Sequence, residues 1–106
     1  MPNQRTVNIV REDGRVKFVP DPKQEGVLDN VIEIGFLDSV FWRNLDPVDS
    51  HQPKLAFETL KLLDPFREDA PVARSKIVAF GDEEQTYDYS CALHPDEMGQ
   101  IVVKRI

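Results

Sequence analysis

Cys91, His94 and Met98 gather a thiol, an imidazole and a thioether within the eight residues Cys-Ala-Leu-His-Pro-Asp-Glu-Met. A second imidazole, His51, lies upstream in a loop rich in Pro and Asp. Two imidazoles and one thiolate in a plane, with a weakly held axial thioether, are a donor set that suits copper. The chain has one Cys and two His. An internal disulfide and the all-Cys or Cys₂His₂ zinc sites are therefore excluded. The rival chemistry is a Cys/His nucleophile dyad. It fits poorly, because its base usually comes from elsewhere in the fold, not from three residues along the same turn. The reading is that the chain is not an enzyme.

Holding such donors around one ion requires a rigid frame. Tyr87, Tyr89 and Cys91 share one parity of a strand, so their side chains point to one face, while Asp88 and Ser90 face the other way. Two tyrosines mark the shared face as core, which puts the thiol at the core's end. The chain must then turn, carrying His94 and Met98. His51 follows the strand Ser39-Val40-Phe41-Trp42-Arg43-Asn44 and the turn-rich Asp46-Pro47-Val48-Asp49-Ser50. Three donors on one loop and a fourth from another fix an ion against a scaffold. Little then has to rearrange between Cu(I) and Cu(II), and electron transfer is fast.

The remaining elements are also strands. Thr6 to Val10 and Arg15 to Val19 alternate around Glu12-Asp13-Gly14, which predicts a hairpin. Val27 to Ile34, Lys76 to Phe80, Gln85 to Cys91 and Gln100 to Arg105 are further candidates. Pro53 to Phe66 reads as a short helix, or as a strand followed by an irregular loop, and Asp64-Pro65 ends it. Strands at about ten-residue spacing predict an antiparallel sandwich or barrel. Residues 1–106 are expected to form one domain.

The chain carries 13 Lys and Arg against 19 Asp and Glu, a formal net charge of −6. That balance repels phosphates, so no nucleic-acid partner is expected. Its apolar runs are too short to cross a bilayer, and no membrane insertion is expected. No stretch resembles a secretory signal, so the chain is read as cytoplasmic or as one whose leader has been removed.

Thr86-Tyr87-Asp88-Tyr89-x-Cys91-x-x-His94-Pro95, followed by Gly99-x-Ile101-Val102-Val103, resembles the last strands and ligand loop of cupredoxins of the amicyanin and plastocyanin kind. Val40-Phe41-Trp42-Arg43-Asn44 through His51 is similar to the family's strand and loop bearing its first histidine, and Val16 to Pro22 to an early strand. The resemblance implies an all-β, cupredoxin-like Greek-key sandwich of about seven to eight strands. It implies a type 1 (blue) copper protein carrying single electrons, with one copper ion (Cu+/Cu2+) per chain. His51, Cys91 and His94 would hold the ion in a plane and Met98 axially. It further implies transient redox partner proteins, a monomer, and a periplasmic or other extracytoplasmic location. The patch for a partner would lie around the His94 edge, lined by Leu45, Val48, Ala92, Leu93 and Pro95.

The chain departs from the family pattern in several places. Counting back from Gly99 puts Glu97 in the axial slot, whereas Met98 is the only internal thioether. A carboxylate there would bind harder, favour Cu(II) and lower the reduction potential. The alternative function is then a copper-binding or delivery module that is not an efficient electron carrier; a domain excised from a larger copper oxidase or reductase is a third. Leu93 stands where relatives often have Pro and offers an amide that could reach the Cys91 sulfur. Gln52 keeps an amide for the same purpose. The ordinary readings are a buried inert thiol for Cys91, a solvated ring for His51, and core packing for Trp42, Tyr87 and Tyr89. Asp46, Asp49, Glu83 and Glu84 read as solvated charge or an acidic recognition patch.

Overall fold

A computed structural model describes residues 2–106 as two four-stranded sheets with no helix among the described residues. Among the described residues, no helix is long and apolar enough to cross a membrane. The strands are β1 (Gln4–Glu12), β2 (Arg15–Asp21), β3 (Val31–Ile34), β4 (Ser39–Asn44), β5 (Pro53–Leu55), β6 (Val78–Ala79), β7 (Gln85–Cys91) and β8 (Met98–Val103). One sheet has the order β2-β1-β4-β6 and the other β3-β8-β7-β5.

The β1–β2 hairpin forms as expected. Glu12 pairs with Arg15, and Asp13 and Gly14 both have positive φ, the two-residue turn whose twist matches the strands it joins. The expected antiparallel pairing holds for β1–β2, β4–β6, β5–β7 and β7–β8 and is corrected elsewhere: β1 runs parallel to β4, and β3 parallel to β8. Each parallel partner is reached by a chain crossing between the sheets, which local alternation cannot reveal. β3 starts later than expected, at Val31, because Asn30 takes a positive φ and spends its side-chain oxygen on the Phe18 amide. Gln24 pairs its amide group with the backbone of Glu33, covering the free edge of β3. The strand expected over Lys76 to Phe80 shrinks to Val78–Ala79, and the last strand shifts to Met98–Val103. After β5 the chain is irregular with isolated bridges, so the strand-and-loop alternative for Pro53 to Phe66 is the one observed.

Alternation sends Val7, Ile9, Phe18, Val40, Trp42 and Val78 inward from one sheet and Ile32, Ile34, Leu55, Tyr89, Ile101 and Val103 inward from the other. Tyr89 is the keystone of this layer, with Phe18 and Trp42 edge-on at centroid distances of 5.2 Å each. Its ring lies across Gly99, its partner on β8; a Cβ there would stand 2.4 Å from the ring. Burial also holds the Tyr89 phenol above its ordinary pKa. Cys91 ends the same strand face, buried at the rim of the core.

Candidate metal centre

The thiol is fixed by both neighbours of its strand end. Cys91 pairs with Pro53 on β5, Ala92 N–H donates to Gln52 O at 2.8 Å, and Gln52 N–H donates to Cys91 Sγ at 3.3 Å. The sulfur's amide partner is thus Gln52 and not Leu93, whose expected contact is absent from the hydrogen bonds of the described residues. The reason is the course of the loop. His94 N–H donates to Cys91 O at 3.2 Å and Glu97 N–H to His94 O at 2.9 Å, two successive turns of three residues each. Side chains three apart in such turns lie over one another. That stacks Cys91, His94 and Glu97 on one side.

His51 comes from the other loop and is held by its backbone. Its N–H donates to Leu63 O at 3.0 Å and its carbonyl accepts from Leu63 N–H at 2.7 Å. Leu63 is fully buried, so the irregular segment after β5 is anchored beside the site. Asn44 stiffens the same region: its side-chain amide donates to Asp49 O, Leu63 O and Asp64 O, and its oxygen accepts from Asp46 N–H.

Four donors converge. Cys91 Sγ lies 3.5 Å from His94 Nδ1 and 3.8 Å from His51 Nδ1. Glu97 Oε1 lies 3.0 Å from His51 Nδ1 and 3.4 Å from His94 Nδ1. One ligating atom from each of the four residues falls within 4.8 Å of all the others. Sulfur and nitrogen donors that share one ion at bond lengths of about 2.0–2.3 Å stand about 3.5–3.8 Å apart. The Glu97 oxygen is buried and, despite its close neighbours, has no hydrogen-bond partner. An orphaned buried oxygen aimed among a thiol and two imidazoles fits a cation, and the soft sulfur and nitrogen donors suit copper.

The sequence-expected residues fall out as follows. His51, Cys91 and His94 are brought together. Met98, expected as the axial donor, is the first residue of β8, pairs with Ser90, and is 62% exposed on the outward face of the strand. Strand alternation turns it away from Gly99 and Ile101, which point inward. The residue set among the other three donors is Glu97. The spacing Cys-x-x-His-x-x-Glu carried this signal. His94 is half-buried; its sequence neighbours Ala92, Leu93 and Pro95 are exposed, as is Val48 on the loop before His51, and Leu45 is half-buried.

Sequence reasoning missed Asp46 and Arg11. The expectation that Asp46 is solvated is corrected: it is 0% exposed. Asp46 Oδ2 accepts from His51 Nε2 at 2.7 Å, and Arg11 grips both oxygens, Nε to Oδ1 and Nη2 to Oδ2, at 2.9 Å each. Val48 N–H donates to Oδ1 at 2.9 Å, and Arg11 also reaches Asp49 at 2.7 Å. Burial alone pushes the Asp46 carboxyl up, but the Arg11, His51 and Val48 hydrogen bonds outweigh it and hold the group well below the usual carboxylate range. A carboxylate on the far nitrogen of an imidazole is the common device for orienting a metal-binding histidine.

No protein-family model matches the sequence, and no curated protein matches it. Solved structures do. A reduced Cu(I) form of an amicyanin variant at pH 4 is 17% identical, with 93% of this chain and 82% of that one covered and a TM-score of 0.60. A second reduced amicyanin variant is 15% identical over the same shares, with a TM-score of 0.60. Amicyanin from Paracoccus versutus is 18% identical, covering 93% of this chain and 81% of its own, with a TM-score of 0.56. At such identities the likeness is one of architecture, and together with the two sheets described above it establishes that the chain has the cupredoxin fold.

Proposed function

We propose that this chain is a mononuclear copper protein that carries single electrons, with His51, Cys91, His94 and Glu97 as its ligands. The observation that carries the reading is the convergence of those four side chains, one orphaned carboxylate oxygen included. The amicyanin likeness, one match being a reduced Cu(I) form, supports copper over other soft-donor metals. When bound, copper supplies one-electron exchange between its +1 and +2 states.

Each residue has a distinct part. Cys91 supplies a thiolate anchored at a strand end, and the Gln52 amide donates to its sulfur. His51, wholly buried, joins the site to the core. His94, partly exposed, is the edge through which an electron enters or leaves. Val48, Ala92, Leu93 and Pro95 offer an apolar surface where a redox partner docks briefly; encounters of this kind bury little area. Glu97 adds a second negative charge to that of the thiolate, so the pair balances Cu(II) better than Cu(I). The carrier therefore works at low potential, and Met98 takes no part in holding the ion. An extracytoplasmic location and a monomeric state belong to the same reading and rest on the family resemblance.

Cu(II) added to the purified protein, followed by optical and paramagnetic-resonance spectra and voltammetry, is the test. An intense visible thiolate-to-copper band and reversible one-electron waves are expected. Copper uptake with sluggish electron exchange supports the delivery module in its place, and the absence of a thiolate band overturns the copper reading.

A further inference from the structure

Behind His51, on the side away from the other donors, stands a chain of charge reaching back to β1. Arg11 grips Asp46 through two parallel hydrogen bonds, and Asp46 accepts from His51 Nε2 at 2.7 Å. Asp46 and His51 are both fully buried, so no water competes for these contacts. Arg11 lies on the strand that enters the β1–β2 hairpin, far along the chain from any donor. Its second carboxylate partner, Asp49, ties the same guanidinium to the loop that leads into His51.

Resting on the copper reading above, we propose that Asp46 and Arg11 are positioning residues for His51 and set the redox balance of the site in opposite senses. Asp46 keeps a proton on Nε2 and so leaves Nδ1 to face Cys91. Its negative charge, transmitted through the ring, favours the higher metal charge. Arg11 holds Asp46 in that orientation and offsets its charge. Glu97 and the Cys91 thiolate already load the site with anion; Arg11 is the counter-charge that stops Asp46 from adding its full weight.

The test compares Asp46→Asn, Arg11→Gln and Arg11→Lys with the parent chain. In the copper-loaded proteins Asp46→Asn is expected to raise the midpoint potential and Arg11→Gln to lower it, with Arg11→Lys near the parent value. Loosening of the loop alone would not give shifts of opposite sign. Equal shifts, shifts of one sign, or none overturn the proposal. Should Asp46→Asn fail to fold, Arg11→Gln against Arg11→Lys decides. A second arm needs no copper. In the metal-free parent, nitrogen-15 NMR is expected to find a slowly exchanging proton on His51 Nε2, with exchange faster in Arg11→Gln. An Nε2 without a proton, or exchange unchanged in Arg11→Gln, overturns the proposal. A parent chain that shows no thiolate-to-copper band sinks the copper reading alone, since the metal-free arm still reports on the positioning role.

Discussion

Glu97 Oε1 lies 3.0 Å from His51 Nδ1 without hydrogen-bonding to it, while the neighbouring Met98 points into solvent. Replacing Glu97 by Ala is therefore expected to change the visible and paramagnetic spectra of the copper-loaded protein and to raise its midpoint potential. Replacing Met98 by Ala is expected to leave both as they were. Spectra of the two variants side by side decide between a carboxylate and a thioether; sensitivity at Met98 with indifference at Glu97 reverses the assignment.

Cys91→Ser keeps the size of the side chain and removes the thiolate. The visible band should vanish altogether, with the far-ultraviolet circular dichroism of the sheets unchanged. Cys91 is buried at the end of β7 and makes its polar contacts within the site, so the fold has little reason to depend on it.

Gly99 and Tyr89 share a space only a glycine leaves open. Gly99→Ala forces the Tyr89 ring from its place between Phe18 and Trp42 and should cost about 2 kcal/mol, the scale of overpacking in a tight core. Urea unfolding measures it. In a Tyr89→Ala background the same substitution should cost much less, because the clash has gone.

Asp46 carries a depressed pKa, so its contribution to stability is complete above the value of an unfolded aspartate, about 3.9. It is lost as the pH falls through the lower, folded value. Unfolding midpoints of the metal-free protein should therefore drop on going from pH 6 to pH 3, both chosen as about two units above and one below that reference. Asp46→Asn should begin less stable and show a shallower decline over the same interval. An equally steep decline would mean that other carboxylates govern the acid response.

Leu63 is fully buried, and its backbone pairs with that of His51 in both directions. Leu63→Ala should destabilise the chain by about 3 kcal/mol, as for other buried leucines. It should also speed loss of copper to a chelator. Unchanged release with lowered stability would show that Leu63 acts on the fold alone.

Strand positions where alternation, turns and β-branching agree were legible in the sequence. Ser39–Asn44 and Gln85–Cys91 were read with their observed bounds, and the Asp13-Gly14 turn was read from its residue types. His51, Cys91 and His94 were legible as candidate donors because their chemistry is scarce in this chain, and the structure brings the three together. Met98 drew attention for the same reason, yet chemistry says nothing about which way a side chain faces. The three-residue turns linking Cys91, His94 and Glu97 bring those three side chains to one side, and they depend on backbone geometry no residue type announces. Asp46 looked solvated because Asp-Pro loops usually are. Its burial depends on Arg11, placed beside it by the β1–β4 pairing, a contact between distant parts of the chain.

That pairing has a price in time. β1 must wait for β4, and β3 for β8, the last strand of all, before either parallel ladder can close. Ladders between distant segments form slowly. Until they do, the Cys91 thiol lacks the burial that the finished sheets give it, so the unfolded chain is more open to oxidation at that sulfur than the folded one.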